Sequence, residues 1–189
     1  MTLFRTVGPL VEPVTPAEAK AHLRIGHASE DALLEGLIRA AREEVEKTTG
    51  QALIDQSWRL TMDDWPQGAT VFLNRTPVRE VISVTVFDDD GAASLVDPAS
   101  YQLDSHACPA RLAFAERPLP GRRLNGIEID FRAGYGEAGT DVPDLLRRAI
   151  VLLVAHWFEF RASFDAKDQP VSLPVGYQRL VNRYRKPRL

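Results

Sequence analysis

The sequence predicts an α+β fold, with a helical core from N- and C-terminal helices and a β-rich central insert. Three observations carry that expectation. Apolar residues recur at helical spacing near residues 30–49 and again near 142–161. Between them, three short runs alternate apolar and polar residues as half-buried strands do. Strands gathered between runs of helices argue for α+β rather than a βαβ repeat.

Residues 1–13 hold Gly8, Pro9 and Pro13 and read as an extended leader. Thr15-Pro16-Ala17-Glu18 is a helix start: Thr15 caps, Pro16 occupies the first helical position and Glu18 completes a capping box. This short helix should end near Gly26. Ser29 is the natural cap of the next helix, residues 30–49. Leu33, Leu37, Ala41 and Val45 form its apolar row, widened by Leu34 and Ile38. Arg39, Arg42, Glu43, Glu46 and Lys47 fill the other face, and Gly50 stands where a left-handed C-cap belongs.

The run from Ser57 to Met62 alternates, as does that from Val81 to Phe87, and each predicts a strand. Asp88-Asp89-Asp90-Gly91 is a turn by composition. Tyr101-Gln102-Leu103 and Arg111-Leu112-Ala113-Phe114 are weaker strand signals, whereas Ile127-Glu128-Ile129-Asp130-Phe131 alternates cleanly. Pro118-Leu119-Pro120-Gly121 is loop. Gly134, Gly136 and Gly139 supply positive φ values in a strand-to-helix turn. Asp141 caps the helix that follows and Pro143 lies in its first turn. Its broad apolar face runs through Leu145, Ala149, Leu152, Leu153, His156, Trp157 and Phe160. A polar, proline-containing linker leads to a last short helix between Pro174 and Arg185. The chain is thus one domain, residues 1–189: a helical core (14–52 and 137–161), a β-rich insert (53–136), and a linker with a basic C-terminal segment (162–189).

With 44% hydrophobic and 26% charged residues the composition is that of a soluble globular protein. Cys108 is the single cysteine, which excludes an internal disulfide and a thiolate-rich metal site. The longest apolar stretch, residues 149–156, falls far short of the ~20 residues of a membrane span. The N-terminus does not read as a signal peptide. Charge is uneven: after Asp168 no acidic residue occurs, while Arg179, Arg183, Arg185, Lys186 and Arg188 are basic. An acidic body with a basic tail points to a contact made by the tail; the bland alternative is a solubilising, frayed terminus.

No set of residues assembles into an active site. Counting Gly91 as position six of a calcium loop puts Val86, which cannot ligate, at position one. His22, His27, His106 and His156 show no metal-ligand spacing, and His156 reads as a core histidine beside Trp157. His106 and Cys108 form a weak thiol–imidazole pair with no third group to orient it. Gly134-Tyr135-Gly136 lacks the remaining glycines and the lysine of a phosphate loop. No catalytic, cofactor-binding or metal-binding residue is expected, and the chain is not expected to be an enzyme. The tail arginines could neutralise a few phosphates, but a DNA binder shows a basic face across the whole domain. The tyrosines and aliphatic residues among the arginines suit a protein partner better.

The order of the motifs resembles the head–tail connector (adaptor) proteins of long-tailed phages and gene transfer agents. Val14-Thr15-Pro16-Ala17-Glu18-Ala19-Lys20-Ala21-His22-Leu23-Arg24 precedes Glu30-Asp31-Ala32-Leu33-Leu34-Glu35-Gly36-Leu37-Ile38. Then come Glu44-Val45-Glu46-Lys47-Thr48-Thr49-Gly50-Gln51-Ala52-Leu53, Pro77-Val78 before Ile82-Ser83-Val84, and Phe131-Arg132-Ala133-Gly134-Tyr135-Gly136. Val142-Pro143, Leu152-Leu153-Val154-Ala155-His156-Trp157, Leu173-Pro174 and Tyr184-Arg185 close the series. Compact members are mostly helical, so residues 53–133 are an addition here. The resemblance implies a homo-oligomeric ring, twelve-fold in assembled particles, that sits beneath the portal and encloses the DNA channel. It implies a tail-side partner, either a stopper or a tail terminator, and no cofactor and no membrane. The place would be the neck of a virion or phage-like particle, reached from the bacterial host cytoplasm during assembly. On this reading Tyr177, Arg179, Leu180, Arg183, Tyr184 and Arg185 dock on the portal. The alternative is a DNA-packaging or DNA-binding accessory that uses the basic tail.

Overall fold

The computed structural model describes residues 1–68, 70–160 and 173–185. Two compact units emerge, one of residues Met1–Pro9 with Asp55–Tyr135 and the other of residues Leu10–Ile54 with Gly136–Leu189.

The first unit is all β. Strands β1 (Thr2–Val7), β2 (Gln56–Met62), β4 (Val78–Phe87), β5 (Ala93–Leu95) and β8 (Ile127–Ala133) form an antiparallel sheet in the order β1-β2-β8-β4-β5. Part of the expected leader is therefore a strand; its apolar Leu3, Phe4 and Val7 do not alternate, and a register shift between Arg5 and Val7 breaks the period of two. The sheet has two unlike faces, as the period of two requires. Leu60, Met62, Ile127, Ile129, Phe131, Val84 and Val86 are buried. On the other face Arg59 is directly opposite Asp130 and grips it with two hydrogen bonds of 2.8 Å, while Arg132 pairs with Asp55 and Glu80. Asp88 closes the β4–β5 turn: its Oδ1 accepts from the amides of Asp90 and Ala92, and Gly91 takes φ 80°. That carboxylate is a turn cap.

A second sheet, β3 (Thr70–Leu73), β7 (Ala110–Phe114) and β6 (Tyr101–Asp104), is also antiparallel, in the order β3-β7-β6. Val71, Leu73, Ala110, Leu112 and Phe114 are its buried residues. Trp65 and Tyr101 flank Phe114, with ring centroids 4.7 and 5.5 Å away.

The second unit is helical: α1 (Pro16–Leu23), α2 (Asp31–Thr49), α3 (Asp144–Phe160) and α4 (Tyr177–Val181) pack on one another. The capping box at α1 is present, with Thr15 Oγ1 accepting from the Glu18 amide and Glu18 Oε2 accepting from that of Thr15. The helix ends at Arg24, in the left-handed region, where the Ile25 amide reaches back to the Lys20 carbonyl; Gly26 is not the terminator. Ser29 does not cap α2. Glu30 is the N-cap, without a side-chain bond, and the Ser29 hydroxyl lies 2.7 Å from His27 Nδ1. Gly50 is the left-handed C-cap, at φ 74°.

The buried row of α2 is Leu34, Ile38, Ala41, Val45 and Thr49, and Leu33 is 38% exposed. A row of steps of four drifts by roughly 40° per step around a helix of 3.6 residues per turn. A buried stripe must therefore insert a step of three, which 34-38-41-45 does and 33-37-41-45 does not. The buried residues of α3, Leu146, Ala149, Ile150, Leu153 and Val154, likewise mix steps of three and four, while Leu145 stays exposed.

Three further expectations are corrected. Arg42 and Glu46 are buried rather than solvated. Arg42 Nε bonds Glu12 Oε2 at 2.8 Å and its Nη1 bonds Glu46 Oε2 at 2.9 Å; Glu46 Oε1 accepts the Leu53 amide at 2.9 Å. Burial raises the Glu12 pKa even against the pull of Arg42; burial works against the Arg42 charge, yet Glu46 and Glu12 keep its pKa raised. Gly136 and Gly139 do not adopt positive φ. A Cβ on Gly136 would run into the Asp141 carboxylate, and one on Gly139 would meet the Pro13 carbonyl at 2.9 Å. They are small because chain passes close by. Asp141 ends a 3-10 turn (Gly139–Asp141) and accepts from the Ala138 amide rather than capping α3, whose helical bonds begin with the Leu146 and Arg147 amides donating to the Pro143 carbonyl.

Candidate docking segment

The C-terminal segment is held by the helical unit at one face and open at the other. Gly176 takes φ 98°, which only a residue without Cβ adopts at no cost. It starts the five-residue α4, which runs into a 3-10 turn over Asn182–Tyr184. A helix this short has no stability of its own. Tyr177 and Val181, one turn apart, are fully buried and anchor it. The Tyr177 hydroxyl lies 3.4 Å from Thr48 Oγ1, which donates in turn to Glu44 Oε1 at 3.0 Å. At the far end Gln51 Nε2 donates to the Tyr184 carbonyl at 3.4 Å. Burial first, and then the charge of Glu44, push the phenol pKa up against the opposing effects of Thr48 and Arg185. The neutral hydroxyl is the form that packs here.

The outer face carries the charge. Arg179, Arg183 and Arg185 are exposed, and Leu180 and Tyr184 are half-buried beside them. The structure thus divides the six residues singled out in the sequence: five face outward wholly or in part, and Tyr177 faces inward as the anchor. A tyrosine at i and a valine at i+4 form an apolar pair that the sequence shows equally as an exposed or a buried stripe. Thr48, Glu44 and Gln51, which hold the segment, were missed; the polar cluster at the end of α2 was the available signal. Lys186, Arg188 and the linker through residue 172 lie outside the described residues.

The weaker candidates occupy ordinary positions. His106 and Cys108 lie in the loop between β6 and β7, where Asp104 Oδ1 accepts from the amides of His106 and Ala107. Cys108 is exposed. His156 is half-buried with its ring 4.3 Å from that of Phe160. No helix among the described residues is long and apolar enough to cross a membrane.

A family described as Phage gp6-like head-tail connector protein matches residues 15–77. Among solved structures, a chain in the neck of an empty gene transfer agent (GTA) particle, computed with C6 symmetry, is 30% identical. That likeness covers 100% of this chain and 97% of that one, at a TM-score of 0.82. The chain belongs to the head–tail connector family. Chains from the virion of a native GTA particle and from a native neck computed with C12 symmetry match the connector equally far, with TM-scores of 0.84 and 0.80 at 30% identity. No curated protein matches it. The α+β fold of the connector, β-rich insert included, is thus that of GTA neck chains, and its role is structural. Neither the family nor the solved relatives favour the alternative of a DNA-packaging accessory.

Proposed function

We propose that this connector forms a ring, twelve-fold in the assembled particle, in the neck of a phage-like particle. Its C-terminal segment docks on the portal. The ring joins the DNA-filled head to a stopper or tail terminator and surrounds the passing DNA, with no catalytic step. The observation that carries the reading is the 30% identity to GTA neck chains over the whole length. Rotational symmetry in those necks supports the ring. An anchored segment whose outer face is basic and partly aromatic supports the docking role, since arginine and tyrosine are favoured interface anchors.

The anchoring decides how to test it. Truncation before α4 would also remove Tyr177 and Val181 from the core, so lost assembly would have two causes. Reversing only exposed charges away from the anchor, Arg179→Glu with Arg183→Glu, avoids this. The expected outcome is an unchanged melting temperature with heads that no longer acquire tails. Full tailed particles from this variant would refute portal docking by the segment.

A further inference from the structure

We infer that the connector's ring is sewn together through its five-stranded sheet, the open edge of β1 in one subunit pairing with the open stretch of β4 in the next. This rests on the ring reading above and names the surfaces that would make it.

A sheet edge is a row of backbone donors and acceptors that invites another strand, and proteins usually blunt it with charge, proline or cover. The order β1-β2-β8-β4-β5 makes β1 one edge, six residues long, without proline and with Arg5 as its one charged residue. Phe4 and Val7 are 44% and 54% exposed on it. The opposite edge is only half covered. β5 pairs with Thr85, Val86 and Phe87 of β4, and the Val96 amide takes the Val84 carbonyl. Residues 78–83, a stretch as long as β1, have no strand beside them on that side among the described residues. Within it, the pairing to β8 skips Arg79 and Ile82, and Ile82 is 53% exposed. A bulge residue has its backbone groups turned off its own ladder.

Direction also fits. Every pairing from β1 through β2 and β8 to β4 is antiparallel, so β1 and β4 run in opposite senses. Rotation about an axis along the strands keeps their senses. A neighbouring subunit's β1 would therefore lie antiparallel to β4, in line with β5. Cyclic rings need two different, complementary surfaces on each subunit, and the two edges of one sheet are such a pair. The apolar side chains at both edges, Phe4 and Val7 on one and Ile82 on the other, would be covered by the contact. A second copy of the chain is the occupant that uses both edges at once.

The test is crosslinking in assembled necks, in a Cys108→Ser background that removes the native exposed thiol. A chain carrying both Phe4→Cys and Ile82→Cys, treated with a short bis-maleimide, should give a ladder of multiples on a denaturing gel. Each single variant should stay monomeric. Dimers from Phe4→Cys alone would mean β1 pairs with β1, and would overturn the proposal. So would the absence of a ladder from chains that are present in necks, although the ring itself would stand. Absence of the wild-type chain from purified necks would instead defeat the connector reading. As a second measure, Phe4→Lys with Val7→Lys should keep the melting temperature and lose ring formation, and normal rings from it would also overturn the proposal.

Discussion

Glu46 follows Arg42 by one turn of α2, and the two form a 2.9 Å ion pair in the interior of the helical unit. The pair works because nothing in it is left over. Glu46 spends one oxygen on Arg42 and the other on the Leu53 amide, and Arg42 also holds Glu12. The helix, the chain leaving it and the chain preceding α1 are thereby tied to one guanidinium.

Removing one member should cost far more than removing the set. Arg42→Ala strands two carboxylates in a poorly solvated site and should destabilise the protein by about 3–5 kcal/mol in urea unfolding. Replacing Arg42 by Met and both Glu46 and Glu12 by Gln removes the stranded charges and keeps an acceptor for the Leu53 amide. The triple variant should be more stable than Arg42→Ala. If it were less stable, the cluster would be contributing attraction beyond satisfying its own burial.

The C-terminal segment should respond to Tyr177 in two graded steps. Tyr177→Phe loses only the long bond to Thr48 and should cost about 0.5–1 kcal/mol. Tyr177→Ala empties a buried aromatic site and should cost about 3–5 kcal/mol. Because five helical residues cannot stay folded without their anchor, amide exchange of residues 177–185 should speed up in the alanine variant. That exchange should rise well before exchange in the middle of α2 changes. Uniform acceleration through α2 and α3 would show that the segment and the bundle open as one unit.

Gly136 should tolerate no side chain. Its missing Cβ leaves room for the Asp141 side chain, including Asp141 Cβ itself at 2.6 Å from where the new atom would sit. Gly136→Ala should therefore destabilise by about 1–3 kcal/mol, the usual cost of overpacking. Gly26→Ala, where nothing lies within 4 Å of an added Cβ, should change the melting temperature little. Equal effects at the two positions would remove the close-approach explanation.

How much of this was legible beforehand depended on what kind of signal each feature leaves. The capping box at Thr15 and Glu18 and the C-cap at Gly50 are local chemistry, readable from four neighbouring residues. The strands around Trp58, Val84 and Ile129 show their period of two. β1 and β3 are short and partnered by distant segments, so their identity comes from pairing with β2 and β7, which no local window contains. The Arg42–Glu46 pair at i,i+4 looks the same in sequence whether solvated or buried; only Glu12, thirty residues away, decides it. At the C-terminal segment the arginines announced the exposed face. The buried side was hidden because an anchor tyrosine and an interface tyrosine are the same residue until the neighbouring Thr48 is placed.

Acid should weaken the start of α1 in a way one substitution can isolate. The Glu18 carboxyl accepts the Thr15 amide and pairs with Arg147, and these bonds, the Thr15 amide foremost, hold its pKa below the ordinary 4.5. A carboxylate with a lowered folded pKa contributes stability above its unfolded value, and that contribution is lost as pH falls through the folded one. The wild-type protein should therefore lose this part of its stability progressively below the ordinary glutamate pKa. Glu18→Gln keeps an acceptor for the Thr15 amide but has no charge to titrate. It should be slightly less stable at neutral pH and should lose less on acidification. Thr15→Ala removes the other half of the box and should cost about 1 kcal/mol at neutral pH, and less in acid, because its hydroxyl also donates to the Glu18 carboxylate. Thermal melts of the three proteins across the acid range separate these terms. Parallel curves for wild type and Glu18→Gln would show that the carboxylate's charge has no part in holding α1.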